Sequence, residues 1–281
     1  MPTQPRARPH QALQIAQSFG ADPERYDQTR PRYPQPLIDH IASGARGRAV
    51  LDVGIGTGIS ARPFRDAGFE VLGVEVDPRM AAFARADGFD VEIARFEEWS
   101  CAGRTFDLLV AGMTWHWIEP TAGANRAAEV LRPGGRLALF WNIAKLPSAL
   151  AQAFSDVYRR VVPELPYNPA PADPLAGYQP ILIATTEAIR ATNAFEIPRR
   201  HDLEWEHTYT RDQWLAQVPT FGGHSRLSPT QLAELLDGLG AAITTGGGTF
   251  PVTYTTLTII ADRRSLPGCR PSAGSAASAA S

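Results

Sequence analysis

From residue 48 the chain falls into a repeating pattern of short apolar runs separated by longer stretches with helical spacing. The runs are Ala49–Val53, Val71–Val76, Val91–Ala94, Leu108–Gly112 and Leu137–Trp141. They are apolar almost throughout rather than alternating, as strands covered on both faces are. Strand and helix in alternation predict βαβ units and a parallel sheet. The punctuation agrees. Asp77-Pro78 supplies a capping residue and a proline for the first helical position. Arg132-Pro133-Gly134-Gly135 ends a helix before the fifth run. Pro63 fits only near the start of its helix.

The flanks read differently. Residues 1–9 are polar and proline-rich, and a short helix is expected over Gln11–Phe19. Tyr26 to Pro34 reads as a proline-punctuated loop, followed by a helix at Pro36–Ala42 with Leu37, Ile38 and Ile41 on one face. Beyond residue 142, Leu146–Val162 has the spacing of an amphipathic helix. Six prolines then fall between Pro163 and Pro180, which excludes a regular helix or central strand there. A helix is expected over Thr185–Phe195. Two alternating runs, Asp202–Tyr209 and Val252–Ile260, flank a helix opened by Ser228-Pro229-Thr230-Gln231. The boundaries that follow are a flexible arm or helix start (1–18), an N-terminal lid (19–47), the strand–helix core (48–142), a helical, proline-rich acceptor cap (143–200), strands and a helix completing the sheet (201–264), and a disordered tail (265–281).

Composition narrows the function classes. With 27 Lys and Arg against 29 Asp and Glu, the chain lacks the basic face that nucleic acid requires. Two cysteines, Cys101 and Cys269, make neither a metal-ligand spacing nor a disulfide framework. No apolar stretch is long enough for a membrane span, and the first residues lack the apolar core of a signal peptide. A cytoplasmic protein without metal or membrane partner is expected.

The strongest chemical signal is the turn Asp52-Val53-Gly54-Ile55-Gly56-Thr57-Gly58 between the first strand and its helix. Glycine permits a tight turn and close approach of a ligand to backbone, and the helix N-terminus behind it offers free N–H groups. Glu75 ends the second strand, where a carboxylate can accept from both ribose hydroxyls. A dinucleotide turn wants G-x-G-x-x-G. The G-x-G-x-G spacing here, with an acid two residues ahead, favours S-adenosylmethionine (SAM) over NAD(P).

The segments Phe19-Gly20 with Tyr26–Pro34, Val50–Gly58, Gly73–Met80 and Phe106–Asn142 together resemble the class I SAM-dependent methyltransferases, and most closely their trans-aconitate-methyltransferase-like, small-molecule branch. The last segment carries Thr114-Trp115-His116-Trp117 and Val130-Leu131-Arg132-Pro133-Gly134-Gly135. The resemblance implies a Rossmann-like, doubly wound, seven-stranded α/β sheet, mostly parallel with an antiparallel edge strand, plus a helical cap. It implies that Gly54, Gly56 and Gly58 face the methionine end of SAM, that Asp52 holds the turn or the amino group, and that Glu75 and Val76 lie at the ribose. Met80 and Arg95-Phe96-Glu97 would flank the adenine, and Gly112 and Met113 would border the cofactor at the end of the fourth strand. Many relatives carry Asp or Asn where Arg95 stands. Arginine cannot accept a hydrogen bond, so Glu97 or backbone must serve the adenine amino group. Tyr26 and Arg30 fall in the lid, where a guanidinium suits the cofactor carboxylate.

Methyl transfer needs alignment and exclusion of water more than strong acid–base help. Trp115, His116 and Trp117 follow the fourth strand, where open α/β sheets bind ligands. His116 is the candidate base. Tyr33, Trp115, Trp117, Trp141, Tyr158 and His224 are the candidate acceptor contacts. The reading that follows is methyl transfer from SAM, giving S-adenosylhomocysteine, to an O, N or C atom of a small molecule, with specialised metabolism as one setting. A SAM-binding protein without methyl transfer and an NAD(P)-dependent oxidoreductase are the alternatives.

Overall fold

The computed structural model describes residues 17–165 and 168–265. The expected arm, the first part of the Gln11–Phe19 helix and nearly all of the expected tail lie outside them.

Seven strands form one sheet: β1 (Ala49–Val53), β2 (Glu70–Glu75), β3 (Asp90–Ile93), β4 (Phe106–Gly112), β5 (Leu131–Lys145), β6 (Arg199–Thr210) and β7 (Thr249–Asp262). Their order is β3-β2-β1-β4-β5-β7-β6. The first five pair in parallel, and β7 runs antiparallel to both β5 and β6. The antiparallel strand therefore stands one place in from the edge, which β6 occupies. The order reverses between β1 and β4, and ligands of open α/β sheets lie beyond the strand ends at such a switch point.

The helices are α1 (Pro23–Thr29), α2 (Gln35–Ala42), α3 (Arg62–Asp66), α4 (Pro78–Ala86), α5 (Pro120–Val130), α6 (Ser148–Val161), α7 (Gln179–Ala191), α8 (Arg211–Gln217) and α9 (Pro229–Thr245). Successive residues of β5 divide the core between the two faces of the sheet. Phe140 packs with Leu37, Ile38 and Ile41 of α2. Trp141 packs with Trp115, Leu182 and Ile189 on the face covered by α5 and α7. The segment 143–200 is divided in the same way. α7 lies with this second cluster, whereas Phe154, Val157 and Tyr158 of α6 join Leu235 and Leu239 of α9 in a third.

Three local expectations change. Tyr26 sits in α1, not in a loop, because Asp22 accepts from the Arg25 N–H and Pro23 takes the first helical position. α7 starts six residues before Thr185, with Pro180 in its opening turn, where a missing N–H costs nothing. The Arg132–Gly135 segment belongs to the start of β5, where the register shifts against Phe106 and Leu108. Pro63 lies in the first turn of α3, as its helix requires.

Candidate active site

The glycine turn is held by unusual backbone conformations. Gly54, Gly56 and Gly58 have φ of +69°, +58° and +94°, a region where side chains are strained. They differ in what they face. A Cβ on Gly54 would lie 2.2 Å from the Thr114 methyl, and one on Gly58 would lie 2.9 Å from the Phe89 ring. At these two positions a side chain has no room against its packed neighbours, although Gly54 also borders the pocket described below. At Gly56 the nearest atom to such a Cβ is Met80 Cε, 3.9 Å away. Gly56 alone of the three turns its bare Cα toward open space.

Two carboxylates support the turn. Glu75 accepts from the backbone N–H of Gly56 at 2.9 Å, of Val76 at 2.8 Å and of Asp77 at 2.9 Å. Burial raises its carboxyl above the ordinary glutamate value despite these bonds. Asp52 is fully buried, and Ser60 Oγ donates to its Oδ2 at 2.7 Å. Its Oδ1 has no partner. Burial pushes its carboxyl up to about 7 against the Ser60 bond.

A pocket opens beside the turn, lined by Gly54, Glu75, Val76, Arg95, Phe96 and Glu97 and also by Val53, Val74, Ala94, Phe19, Thr114, Trp117 and Ile118. The first six were expected from the sequence at the cofactor, and Trp117 at the acceptor. The strand-end residues and Phe19 were not assigned a site role, although position at a strand C-terminus marks them. Phe19 meets Trp117 edge-on at 6.1 Å and Tyr26 at 6.0 Å, so the N-terminal segment roofs the pocket. Glu97 accepts the Glu119 N–H through Oε1 at 3.1 Å. Arg95 reaches the same oxygen only at 3.5 Å.

Arg62 fastens that roof. Its Nε meets Asp87 at 2.7 Å, one terminal nitrogen meets Asp27 of α1 at 2.8 Å, and the other donates to the Thr57 carbonyl at 3.0 Å. Asp27 also pairs with Arg32 at 3.2 Å, and both arginines hold its carboxyl below the usual aspartate value despite burial.

Arg30 lies over the Tyr26 ring at 4.9 Å and the Phe221 ring at 5.0 Å and donates to the Thr220 carbonyl at 2.5 Å. No carboxylate pairs with it among the described residues, and its buried Nε has no partner. Tyr33 packs edge-on against Phe140 at 4.7 Å, and its hydroxyl abuts Gly112. Met113 follows with a φ of +55°; its N–H donates to the Phe140 carbonyl at 2.8 Å, and its sulfur accepts from the Asn142 N–H at 3.2 Å.

Four expected acceptor contacts are placed inside the protein instead. Trp115 and Trp141 are fully buried in the core beneath α5 and α7. Tyr158 and His224 are buried against each other, with the Tyr158 hydroxyl 3.1 Å from His224 Nε2. His224 Nδ1 lies 3.4 Å from the Gly222 carbonyl, and burial pushes the ring down to about 4. Large aromatic side chains at helical or strand spacing fill cores by default. Trp117 and Tyr33 do border open space. His116 does not have the surroundings expected of a base. The Trp141 indole N–H donates to its Nδ1 at 3.1 Å, and desolvation pushes the ring down to about 4. Among the described residues no cluster of His, Cys, Asp and Glu is placed to hold a metal.

Residues 51–139 match a family model described as a methyltransferase domain. The chain carries a class I, SAM-dependent methyltransferase domain. An uncharacterized methyltransferase of Mycobacterium tuberculosis is 28% identical over 218 residues, 76% of this chain and 80% of that protein. A malonyl-[acyl-carrier protein] O-methyltransferase of Acetivibrio thermocellus is 24% identical over 212 residues, 72% of this chain and 74% of its own. Among solved structures, a candidate type II methyltransferase of Anaeromyxobacter dehalogenans superimposes with a TM-score of 0.57 at 22% identity, over 85% of this chain and 99% of that one. A phosphoethanolamine N-methyltransferase of Haemonchus contortus does so with a TM-score of 0.52 at 15% identity, over 92% of this chain and 60% of that one. These two share the fold of the methyltransferase. Among its described residues no helix is long and apolar enough to cross a membrane.

Proposed function

We propose that the methyltransferase acts on a small molecule, in the manner of the trans-aconitate-methyltransferase-like branch, with the acceptor bound between the N-terminal segment and the ends of β4 and β5. The observation that carries this reading is the Glu75 carboxylate in a pocket bordered by Gly54 of the glycine turn and roofed by Phe19 and Trp117, with the Gly56 N–H held on that same carboxylate. The residues present fit the cofactor. Gly56 leaves room for a ligand against backbone, Asp52 keeps an oxygen without a partner at the turn, and Glu75 brings a carboxylate into the pocket. Val76 and Met80 would bound the ribose and adenine. Glu97 supplies the acceptor that Arg95 lacks, since its Oε2 has no protein partner among the described residues.

Bound SAM supplies a methyl group made electrophilic by its sulfonium. The chain's own residues supply position and dryness. Arg30, a cation without a counter-charge, suits a carboxylate at the methionine end. Tyr26, Phe19 and Trp117 cover the pocket, where aromatic faces favour a cation and keep water out. The enclosure by α1 and the aromatic roof suits a compact acceptor better than a folded protein or a nucleic acid.

The test is isothermal titration of the wild type and Glu75→Ala with S-adenosylhomocysteine, followed by a screen for transfer of tritiated methyl to small acceptors. Binding that weakens at least tenfold in the variant is expected. Wild-type protein that binds NADH and not S-adenosylhomocysteine would overturn the reading.

A further inference from the structure

A second cavity, of about 580 Å³, lies where β5, β7 and β6 run side by side. Its volume is within the range of small-molecule pockets. Among the described residues it shares no lining side chain with the cofactor pocket. The three strands make its floor and the start of α6 makes one wall. The other wall is the segment from Ala170 to Leu175. That segment is fastened at both ends: Ser155 of α6 donates to the Ala170 carbonyl at 2.8 Å, and Leu175 packs on the core cluster of Trp141.

Two opposite charges line this cleft, Lys145 and Glu204. Lys145 of β5 stands opposite Thr253 of β7, and Glu204 of β6 stands opposite Thr255. Residues two apart on a strand share a face, so both side chains leave the same face of the sheet. Strand spacing and rise put their Cα atoms about 12 Å apart. Extended toward each other, the two side chains would nearly span that distance. They do not meet, and neither has a hydrogen-bond or ionic partner among the described residues. Next to them on β6, Arg200 and Asp202 do pair, at 2.7 Å. Lys145 is also the one lysine of the chain, whose other 26 Lys and Arg positions are all arginine. Its ammonium is a compact charge with rotatable donors, unlike the planar fork of arginine. Thr253 and Thr255 on the floor and Ser148 on the wall add hydroxyls that have no partner among the described residues.

This pattern selects for charge. A simple anion in the cleft would be attracted by Lys145 and repelled by Glu204, and a simple cation the reverse. A molecule carrying both signs is attracted at both ends. We propose that the cleft is a second binding site, separate from the methyl-transfer site, for a small zwitterion: an amino acid whose carboxylate lies on Lys145 and whose ammonium lies on Glu204. The three hydroxyls bond to it along its length.

The single lysine supplies the probe. Full-length protein grown with lysine carrying carbon-13 at Cε gives one side-chain signal, that of Lys145. It is titrated with glycine, β-alanine, γ-aminobutyrate and δ-aminovalerate, which hold their two charges progressively further apart. Acetate and methylammonium, with one charge each, are the controls. At least one amino acid should shift the signal saturably, at concentrations at least tenfold below either control. Glu204→Gln should weaken that amino acid about tenfold, the worth of one charge-assisted contact, while acetate acts no more weakly than before. Lys145→Met, followed through the backbone amides of Thr253 and Thr255, should weaken it to a similar degree. Both variants should bind S-adenosylhomocysteine as the wild type does, because neither residue lines the cofactor pocket. In the wild type alone, no saturable shift with any of the four amino acids, or a response to acetate as strong as theirs, overturns the proposal. Unchanged amino-acid binding by Glu204→Gln does so as well.

Discussion

The backbone N–H of Gly56 and the carboxylate of Glu75 meet at 2.9 Å across the mouth of the glycine turn. One acid thus shapes the loop and faces the pocket. Glu75→Gln replaces an oxygen that accepts N–H groups with an amide that donates. A buried clash of donors costs about 1–3 kcal/mol. A lowered melting temperature by calorimetry is expected, together with S-adenosylhomocysteine affinity at least tenfold weaker by titration.

The glycines of the turn should separate folding from binding. Gly54→Ala drives a methyl into Thr114, 2.2 Å away, and should lower the melting temperature markedly. Gly56→Ala meets nothing nearer than 3.9 Å and bears only the backbone strain, about 1 kcal/mol. It should fold and fail to bind S-adenosylhomocysteine. Similar binding by the two variants, measured on folded protein, would contradict this division.

Asp52 gives stability a pH dependence. Its carboxyl rises from an ordinary 3.8 to about 7 in the fold. Between those values the native protein keeps a proton that the unfolded chain has released. This contribution to stability is greatest at the acid end of the window and declines as pH rises through it. Asp52→Asn is always neutral. Relative to wild type, its melting temperature should be higher at about pH 8 than at about pH 5. An equal difference at both pH values would show that Asp52 ionises freely.

Arg30 should matter for binding more than its exposed neighbours do. Arg30→Met keeps contact with Tyr26 and Phe221 but removes the charge. We expect S-adenosylhomocysteine affinity to fall about tenfold or more, from the loss of a charge-assisted pair. Arg30→Lys should recover only part of it, because an ammonium lacks the planar fork. Titration of both variants decides.

The sheet was readable because its central parallel strands β1, β4 and β5 are apolar on both faces, and the cofactor turn because glycines cluster between a strand and a helix. Helix α1 is less legible, although Asp22-Pro23 repeats the cap of Asp77-Pro78, because Pro31 and Pro34 give the segment the punctuation of a loop. The acceptor side was much less legible. Trp115 differs from Trp117 only in which way the chain turns after β4, and Trp141 is buried because α5 and α7 cover its face of β5; no spacing records either. The same holds for Tyr158 and His224, whose partnership joins α6 to a loop 66 residues away. Nor does any local pattern reveal that the indole of one strand donates to a histidine beyond another. That information is in the packing of β5 against β4.

The arrangement around Arg62 has a consequence for motion. Were α1 to swing away from the glycine turn, the Arg62–Asp27 contact would part, yet Arg62 would keep Asp87 and Asp27 would travel with Arg32, its neighbour on the same segment. Neither ion would be left bare in a half-buried place, which is the costly outcome of breaking such a pair. Each charge of the Arg62–Asp27 pair thus has a second partner, so this contact alone sets no large electrostatic barrier to separating α1 from the turn.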